Sequence, residues 1–303
     1  FKFVASDWEA FVKKHGIKWN NWGEPSFLAW TTTPWTLPSN TALCVGPKID
    51  YVILETYNPY TAERVSVFIA ESRVSAYFKP EGEIKEGEEL PDYASGDKIL
   101  PYRIIAKVKG SELEGVRYQQ LMPWIKPVEK TGDFAAKFVN DYAQAHPEKV
   151  FDSEDGRDSF VEMSSEAFRI ILGDYVTTED GTGIVHTAPT FGADDAKVCK
   201  DANIPALYLI SKKGETRPMV DLQGKYYSIT DLDHNFIRCC VNEQAYGTHA
   251  GDYVKNAYDP KFNQNGVWDK VASEKSEDLN IIMSLEMKKE GTAFAIKKHV
   301  HNY

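Results

Sequence analysis

Cysteine is scarce, and what there is builds no framework: Cys44, Cys199, Cys239 and Cys240 include no Cys-x-x-Cys pair. That argues against a disulfide scaffold or a structural zinc site and for a reducing compartment, taken as the cytoplasm. Histidine offers no metal site either, since His249, His299 and His301 stand at no useful ligand spacing. No apolar run approaches the roughly 18 residues of a membrane span. The start, Phe1-Lys2-Phe3-Val4-Ala5-Ser6-Asp7, lacks the pattern of a secretory signal. Neither a membrane partner nor a bound cofactor is therefore expected. A surplus of positive charge is also missing. The net charge of −10 is the wrong sign for a general nucleic-acid binder, whose phosphate contacts need Lys and Arg. Any nucleic acid must be met locally. Lys288, Lys289, Lys297 and Lys298, opposed only by Glu286 and Glu290, are one local source, although such a run reads first as a solvated helix face.

What is present suits a soluble globular chain: 303 residues, 42% hydrophobic, 13% aromatic and 26% charged. That length admits one large domain or two ordinary ones. The chain begins without Met and ends on His301-Asn302-Tyr303, and reads as a piece of something longer. Ser6-Asp7-Trp8-Glu9 has the pattern of a capping box opening a helix through Lys14, stopped by Gly16. Strands are predicted at 41–45, 51–55, 65–69 and 104–108, with a helix over 71–78. From Glu81 to Asp97 only Lys85 opposes seven carboxylates, so this stretch reads as an exposed acidic insertion. Gly115 to Pro127 reads as an ordered loop packed by Tyr118 and Trp124. Further helices are predicted at 133–145, 231–244 and 281–289, and a strand at 160–163.

Two stretches stand apart. In Phe27-Leu28-Ala29-Trp30-Thr31-Thr32-Thr33-Pro34-Trp35-Thr36-Leu37-Pro38-Ser39-Asn40 a strand-like run enters four threonines punctuated by prolines. Pro34 has no N–H for a ladder, so the strand is expected to leave its sheet there. Hydroxyls donate and accept, and Asn40 adds both an amide oxygen and an NH2, so the cluster can hold a water or a ribose without charge. In the second, Thr178 to Asp195, Asp180-Gly181 signals a tight turn and the strand 184–187 delivers His186 to an exit at Pro189. Gly192-Ala193-Asp194-Asp195 then opens a helix that stops near Asn203-Ile204-Pro205. Taken singly, His186 reads as an ordinary satisfied histidine. Taken singly, Asp194 and Asp195 read as carboxylates at a helix N-terminus.

Together the two stretches carry a resemblance. Thr31-Thr32-Thr33-Pro34-Trp35-Thr36-Leu37-Pro38-Ser39-Asn40 resembles the threonine-rich peptide of the editing domain of isoleucyl-tRNA synthetases. Gly181-Thr182-Gly183-Ile184-Val185-His186-Thr187-Ala188-Pro189 with Asp194-Asp195 resembles that domain's second signature. Thr33, where the valyl and leucyl relatives usually have Arg, points to the isoleucyl branch. The adenylate-forming signatures His-Ile-Gly-His and Lys-Met-Ser-Lys-Ser are absent, so the chain is not expected to aminoacylate.

The resemblance implies an α+β fold with a distorted β-barrel core and surrounding helices, and one inserted editing domain over 1–303, with the acidic insertion near 81–97 and a variable region near 211–303. It implies an aminoacyl-tRNA deacylase that hydrolyses valine esterified to the terminal adenosine of tRNA(Ile), with valyl-adenylate as a further substrate. Asp195 would anchor the α-ammonium, and His186 would be the steric gate against isoleucine. Thr31, Thr32 and Thr33 would line the pocket and bind the ribose, and Thr33 with Asn40 would place the attacking water, with Thr32 and Thr36 beside them. Trp30, Trp35, Phe191, Gly183 and Ile184 complete the candidate set. The expected partners are the tRNA end and the rest of the synthetase, with the fragment itself monomeric. A non-catalytic module that docks the tRNA end, or a valyl- or leucyl-type editing domain, are the alternatives.

Overall fold

The structure is a computed structural model and describes residues 1–127, 166–264 and 266–297. The predicted helix at 133–145 and strand at 160–163, together with Lys298, His299 and His301, lie outside the described residues. No described helix is long and apolar enough to cross a membrane.

Helix α1 (Ala5–His15) buries Trp8 and Phe11 and stops at Gly16, whose φ of +62° is the left-handed conformation glycine adopts freely. The expected capping box does not form. The helix starts at Ala5, so Ser6 falls inside its first turn, while Asp7 accepts the backbone N–H of Arg117 at 3.0 Å and its guanidinium at 2.6 Å.

Two sheets follow. In the first, β3 (Asp50–Tyr57) is flanked by antiparallel β4 (Arg64–Ala70) and β5 (Arg103–Lys109), and β1 (Glu24–Phe27) runs parallel to β4 at the edge. The acidic stretch lies beside this sheet, its carboxylates largely exposed, pinned where the Tyr57 hydroxyl donates to the Pro91 carbonyl at 3.1 Å. In the second, β2 (Ala42–Val45) sits between parallel β6 (Arg169–Leu172) and antiparallel β7 (Ile184–Thr187). Every residue of β2 is buried, which is why its sequence is a continuous apolar run without alternation. The register sets Leu43 opposite His186.

The sheets pack on a shared core and are tied by a bridge between Trp30 and Val185, the Ala70 N–H on the Thr182 carbonyl at 2.9 Å and the Tyr51 hydroxyl on the Gly183 carbonyl at 2.6 Å. The fold is mixed α+β, and among the described residues the ladders do not close into the expected barrel.

Two core regions flank the second sheet's exit. One gathers Phe3, Phe27, Ile53, Phe68 and Ile184. The other is built largely from the C-terminal part of the chain, around Leu209, Tyr226, Phe236, Tyr246 and Met283, with Trp124 and Ile125 from the loop before it. Burying side chains of this size contributes about 1.5–3 kcal/mol each. The helix expected over 231–244 is two pieces, His234–Cys240 and Glu243–Gly247, because Val241 is extended and the Asn242 side chain caps the second piece on the Ala245 N–H. The last described helix, Leu279–Glu290, ends as expected at a left-handed Gly291.

Candidate active site

Strand β1 ends at Phe27, earlier than Pro34. Trp30 makes one bridge, and the chain then turns into a 3-10 helix, Pro34–Ser39, with proline at its first position, where a missing N–H costs nothing. Thr31 and Thr36 tighten the turn locally: the Thr31 hydroxyl accepts the Thr33 N–H at 3.1 Å, and the Thr36 hydroxyl donates to the Thr33 carbonyl at 2.9 Å. The turn is also held from the C-terminal core. The Tyr226 hydroxyl donates to the Trp35 carbonyl, and Asn280 Oδ1 accepts the Trp35 N–H at 3.3 Å.

His186, on β7, is 8% exposed and has both ring nitrogens engaged. Nδ1 lies 2.9 Å from Asn40 Nδ2, and Nε2 lies 2.9 Å from Thr36 Oγ1. The tautomer follows from the partners. The Asn40 oxygen already accepts from the Tyr118 hydroxyl at 2.6 Å and its Nδ2 donates to the Ala42 carbonyl at 2.8 Å, so the amide presents N–H to the ring. Nδ1 is thus the acceptor and Nε2 carries the proton, which it donates to Thr36. Burial pushes the His186 pKa down to about 4, so the ring is neutral at pH 7.

Asp195 lies in the first turn of α2 (Ala193–Asp201) but does not cap it. Its Oδ2 reaches back to accept the Ala188 N–H at 2.8 Å, just beyond the β7 exit. Burial raises its pKa, the Asp194 charge adds to that, and the Ala188 N–H opposes it. Asp194 is exposed beside it.

These segments enclose a cleft of about 230 Å3 lined by Trp30, Thr31, Thr32, Thr33, Thr36, His186, Ala188, Phe191 and Asp195. Positions remote in the chain therefore share one chamber. A larger, mostly apolar cavity of about 670 Å3 shares Trp30, Thr31 and Thr32 as part of its wall and extends to Tyr77, Leu285 and Phe294. Among the described residues no group of His, Cys, Asp and Glu could hold a metal ion.

Four candidates from the sequence do not line the small cleft. Asn40 is 2% exposed and stands behind His186. Trp35 packs edge-on against Phe191, with ring centroids 4.9 Å apart, and so supports a cleft residue. Gly183 has φ +76°, and a Cβ there would fall 2.5 Å from Ala70 Cβ, so its glycine serves close packing between the sheets. Ile184 is wholly buried in the core. Conversely, the sequence reading missed Ala188 and Tyr118. The place of Ala188 before Pro189 at a strand exit was a usable signal; Tyr118 sits in an aromatic loop with nothing to set it apart.

The site is built from the two signatures that tied the sequence to aminoacyl-tRNA synthetases, and sequence comparison gives the same class. The chain is 50% identical over 283 residues to an isoleucine–tRNA ligase of Bacteroides thetaiotaomicron, covering 93% of this chain and 22% of that protein. It is 44% identical over 282 residues to the ligase of Porphyromonas gingivalis and 37% identical over 278 residues to that of Cytophaga hutchinsonii, covering 20% of each. The chain belongs to the isoleucine–tRNA ligase family and spans about a fifth of the length of these relatives. No protein-family model matches it. Among solved structures, the cytosolic leucyl-tRNA synthetase editing domain of P. knowlesi superposes with a TM-score of 0.38 at 13% identity, covering 66% of this chain and 60% of that one. GlLeuRS-CP1 superposes at 0.36 and 15% identity, covering 66% and 51%. Superpositions this partial assign no residue a role.

Proposed function

We propose that this chain is the editing domain of an isoleucyl-tRNA synthetase and hydrolyses valine esterified to the terminal adenosine of tRNA(Ile). The need is chemical. One methylene is worth only about 1–3 kcal/mol in a hydrophobic pocket, a limit for which isoleucyl-tRNA synthetases are themselves the standard illustration rather than a result from this chain. A second site that admits the smaller side chain removes the errors. The observation that carries the reading is the convergence of Thr31, Thr32, Thr33 and Thr36 with His186 and Asp195 around one cleft.

In this reading the Asp195 carboxylate takes the substrate α-ammonium. One of its oxygens is fixed by the Ala188 N–H, so the acyl group is held in one orientation by a charge-assisted bond. The threonine hydroxyls hold the terminal ribose and a water. That water attacks the ester carbonyl, the ester C–O bond breaks, and valine and a free ribose hydroxyl leave. His186 does not serve as general base, because its Nδ1 already accepts from Asn40 and its Nε2–H is directed at Thr36. Its part is steric. The cleft volume of about 230 Å3 has to hold ammonium, ester and water as well as the side chain. Rejection of one extra methylene therefore depends on where the His186 ring stands and not on total volume. An activated ester needs little more than water in near-attack geometry, which can supply several kcal/mol. The larger cavity that shares Trp30 is the approach for the adenosine.

The test is hydrolysis by this chain of valyl- and isoleucyl-tRNA(Ile). Cleavage of the valyl ester alone supports editing. Binding of the tRNA end without turnover supports a docking module instead, and preferred cleavage of threonyl or norvalyl esters supports a valyl- or leucyl-type site.

A further inference from the structure

His186 can be a gate only if its ring is held in place, and the hold continues beyond the cleft. From the Thr33 carbonyl a line of hydrogen bonds runs through Thr36 Oγ1 (2.9 Å), His186 Nε2 (2.9 Å) and Nδ1, and Asn40 Nδ2 (2.9 Å) and Oδ1, and ends at the Tyr118 hydroxyl (2.6 Å). Asn40 and Tyr118 are each 2% exposed. Among the described residues, Tyr118 is the donor that Asn40 Oδ1 has, whereas Nδ2 has three acceptors within reach: the Ala42 carbonyl, His186 Nδ1 and, at 3.3 Å, the Thr187 carbonyl. The geometry points to Tyr118 as a positioning residue for the His186 gate, fixing the Asn40 amide and through it the histidine tautomer and ring orientation. This rests on the editing role proposed for the cleft.

The physical argument is one of satisfied lone pairs. Without the phenol hydroxyl, Asn40 Oδ1 is a buried acceptor with no donor, which is costly where water does not reach. Rotating the amide lets Oδ1 meet the ring, but only if the proton moves from Nε2 to Nδ1, and that withdraws the N–H now directed at Thr36. A ring with two competing tautomers no longer fixes the wall that faces the substrate side chain. Burial also raises the Tyr118 phenol well above its usual range, so it remains a donor throughout any working pH. Its ring is fixed in turn, edge-on to Phe1 with centroids 5.3 Å apart, and its N–H donates to the Phe168 carbonyl at 2.9 Å. Tyr118→Phe therefore deletes the hydroxyl and little else.

The experiment uses the 303-residue chain with nitrogen-15 histidine, the His186 signals being assigned by their loss in His186→Gln. The unaltered chain should show His186 as the neutral Nε2–H tautomer. In Tyr118→Phe, Nδ1–H should appear beside it. The ratio of kcat/KM for valyl over isoleucyl ester should fall about tenfold, with KM for the valyl ester unchanged. In Asn40→Asp, which offers the ring only acceptors, His186 should carry its proton on Nδ1 although Tyr118 is intact. A folded Tyr118→Phe that keeps both the tautomer and the selectivity overturns the assignment, as does an unshifted His186 in Asn40→Asp. If the unaltered chain cleaves neither ester, the deacylase reading fails, and the tautomer spectra still decide whether Tyr118 orders the histidine.

Discussion

Replacing Asp195 by asparagine removes the cleft's anchoring charge while keeping its shape. The amide oxygen of the replacement can still accept the Ala188 N–H that Oδ2 takes at 2.8 Å, so the new NH2 is left facing the substrate ammonium, donor against donor. A hydrogen bond to a charged group contributes about 1.5–3 kcal/mol net. Asp195 is only partly buried, so a loss of about 2–3 kcal/mol is appropriate. At about 1.36 kcal/mol per tenfold this is a fall in kcat/KM for the valyl ester of roughly 30- to 150-fold. Stability should move the other way. Burial, with the Asp194 charge, raises the folded pKa above the unfolded one despite the Ala188 N–H. The stabilising contribution of this group is then present below the unfolded pKa and is lost as pH rises through the folded value. At pH 7 the ionised carboxylate is a liability to the fold that the Asp195→Asn variant does not carry, so its Tm should be unchanged or higher. Single-turnover deacylation and a thermal melt on the same preparation decide it. A loss of less than threefold, or one accompanied by a lower Tm, refutes the anchor.

His186→Ala should let isoleucyl ester be cleaved while leaving valyl hydrolysis largely intact, and unchanged discrimination in that variant would place the gate elsewhere. The two buried histidines should give stability opposite pH slopes. His186, depressed from 6.5 to about 4 by burial, contributes stability present above 6.5 and lost as pH falls through 4, roughly 3 kcal/mol at most. For His249, burial acts to lower the pKa but is outweighed by Asp252 and Glu286, at 3.2 and 3.0 Å. Its contribution is therefore present below 6.5 and lost as pH rises through its raised value. Urea titrations across that range should flatten on the acid side in His186→Gln and on the alkaline side in His249→Gln; unaltered slopes would refute the assignments. Gly181→Ala places a Cβ 2.8 Å from Trp30 Cγ at a φ of +64° and should destabilise by about 1–2 kcal/mol for the left-handed backbone alone. A cost confined to that range would show that the Trp30 wall yields freely, and one below about 0.5 kcal/mol, the size of an ordinary surface substitution, would refute the backbone strain itself.

The features legible in the sequence were those whose cause is local. Gly16 and Gly291 ended helices because only the left-handed region closes those turns, and β2 announced itself by an unbroken apolar run. Of the cleft, eight of the twelve candidates line it: His186 to Asp195 leave β7 just before Pro189 as expected, whereas Thr31 to Thr36 reach the cleft from a strand that ends at Phe27 and a 3-10 turn that begins at Pro34. Misplacements came where a distant partner decided the outcome. Ser6 and Glu9 had the pattern of a capping box, but the helix starts one residue earlier, at Ala5, and the Asp7 between them pairs with Arg117 from across the fold. Asn40 has the right chemistry to hold a water, yet its donors and acceptor are taken by Tyr118, His186 and Ala42. Gly183 and Ile184 belong to the same signature as His186, but they lie at the entry to β7, where Gly183 packs on Ala70 and Ile184 is buried in the core, and only the far end of the strand reaches the cleft. Nothing in a one-dimensional pattern distinguishes a residue in a chamber wall from one that braces it.

The bracing has a consequence for which parts of the chain can vary. The region beyond 211 showed no chemistry in sequence, yet the turn that carries Thr36 is held by it: Tyr226 on the Trp35 carbonyl, Asn280 on the Trp35 N–H, and a core against which Trp35 and Phe191 pack. His186, at the other end of the Thr36 bond, is held from the opposite direction by Asn40 and Tyr118. One hydroxyl thus joins two independently anchored frames, and at 2.9 Å to His186 Nε2 it has little slack. The proposed editing site, which would reject one methylene without a strong base, depends on such rigidity. Sequence change in the C-terminal region is therefore tolerable at its surface, and not at the few buried polar groups that reach the turn.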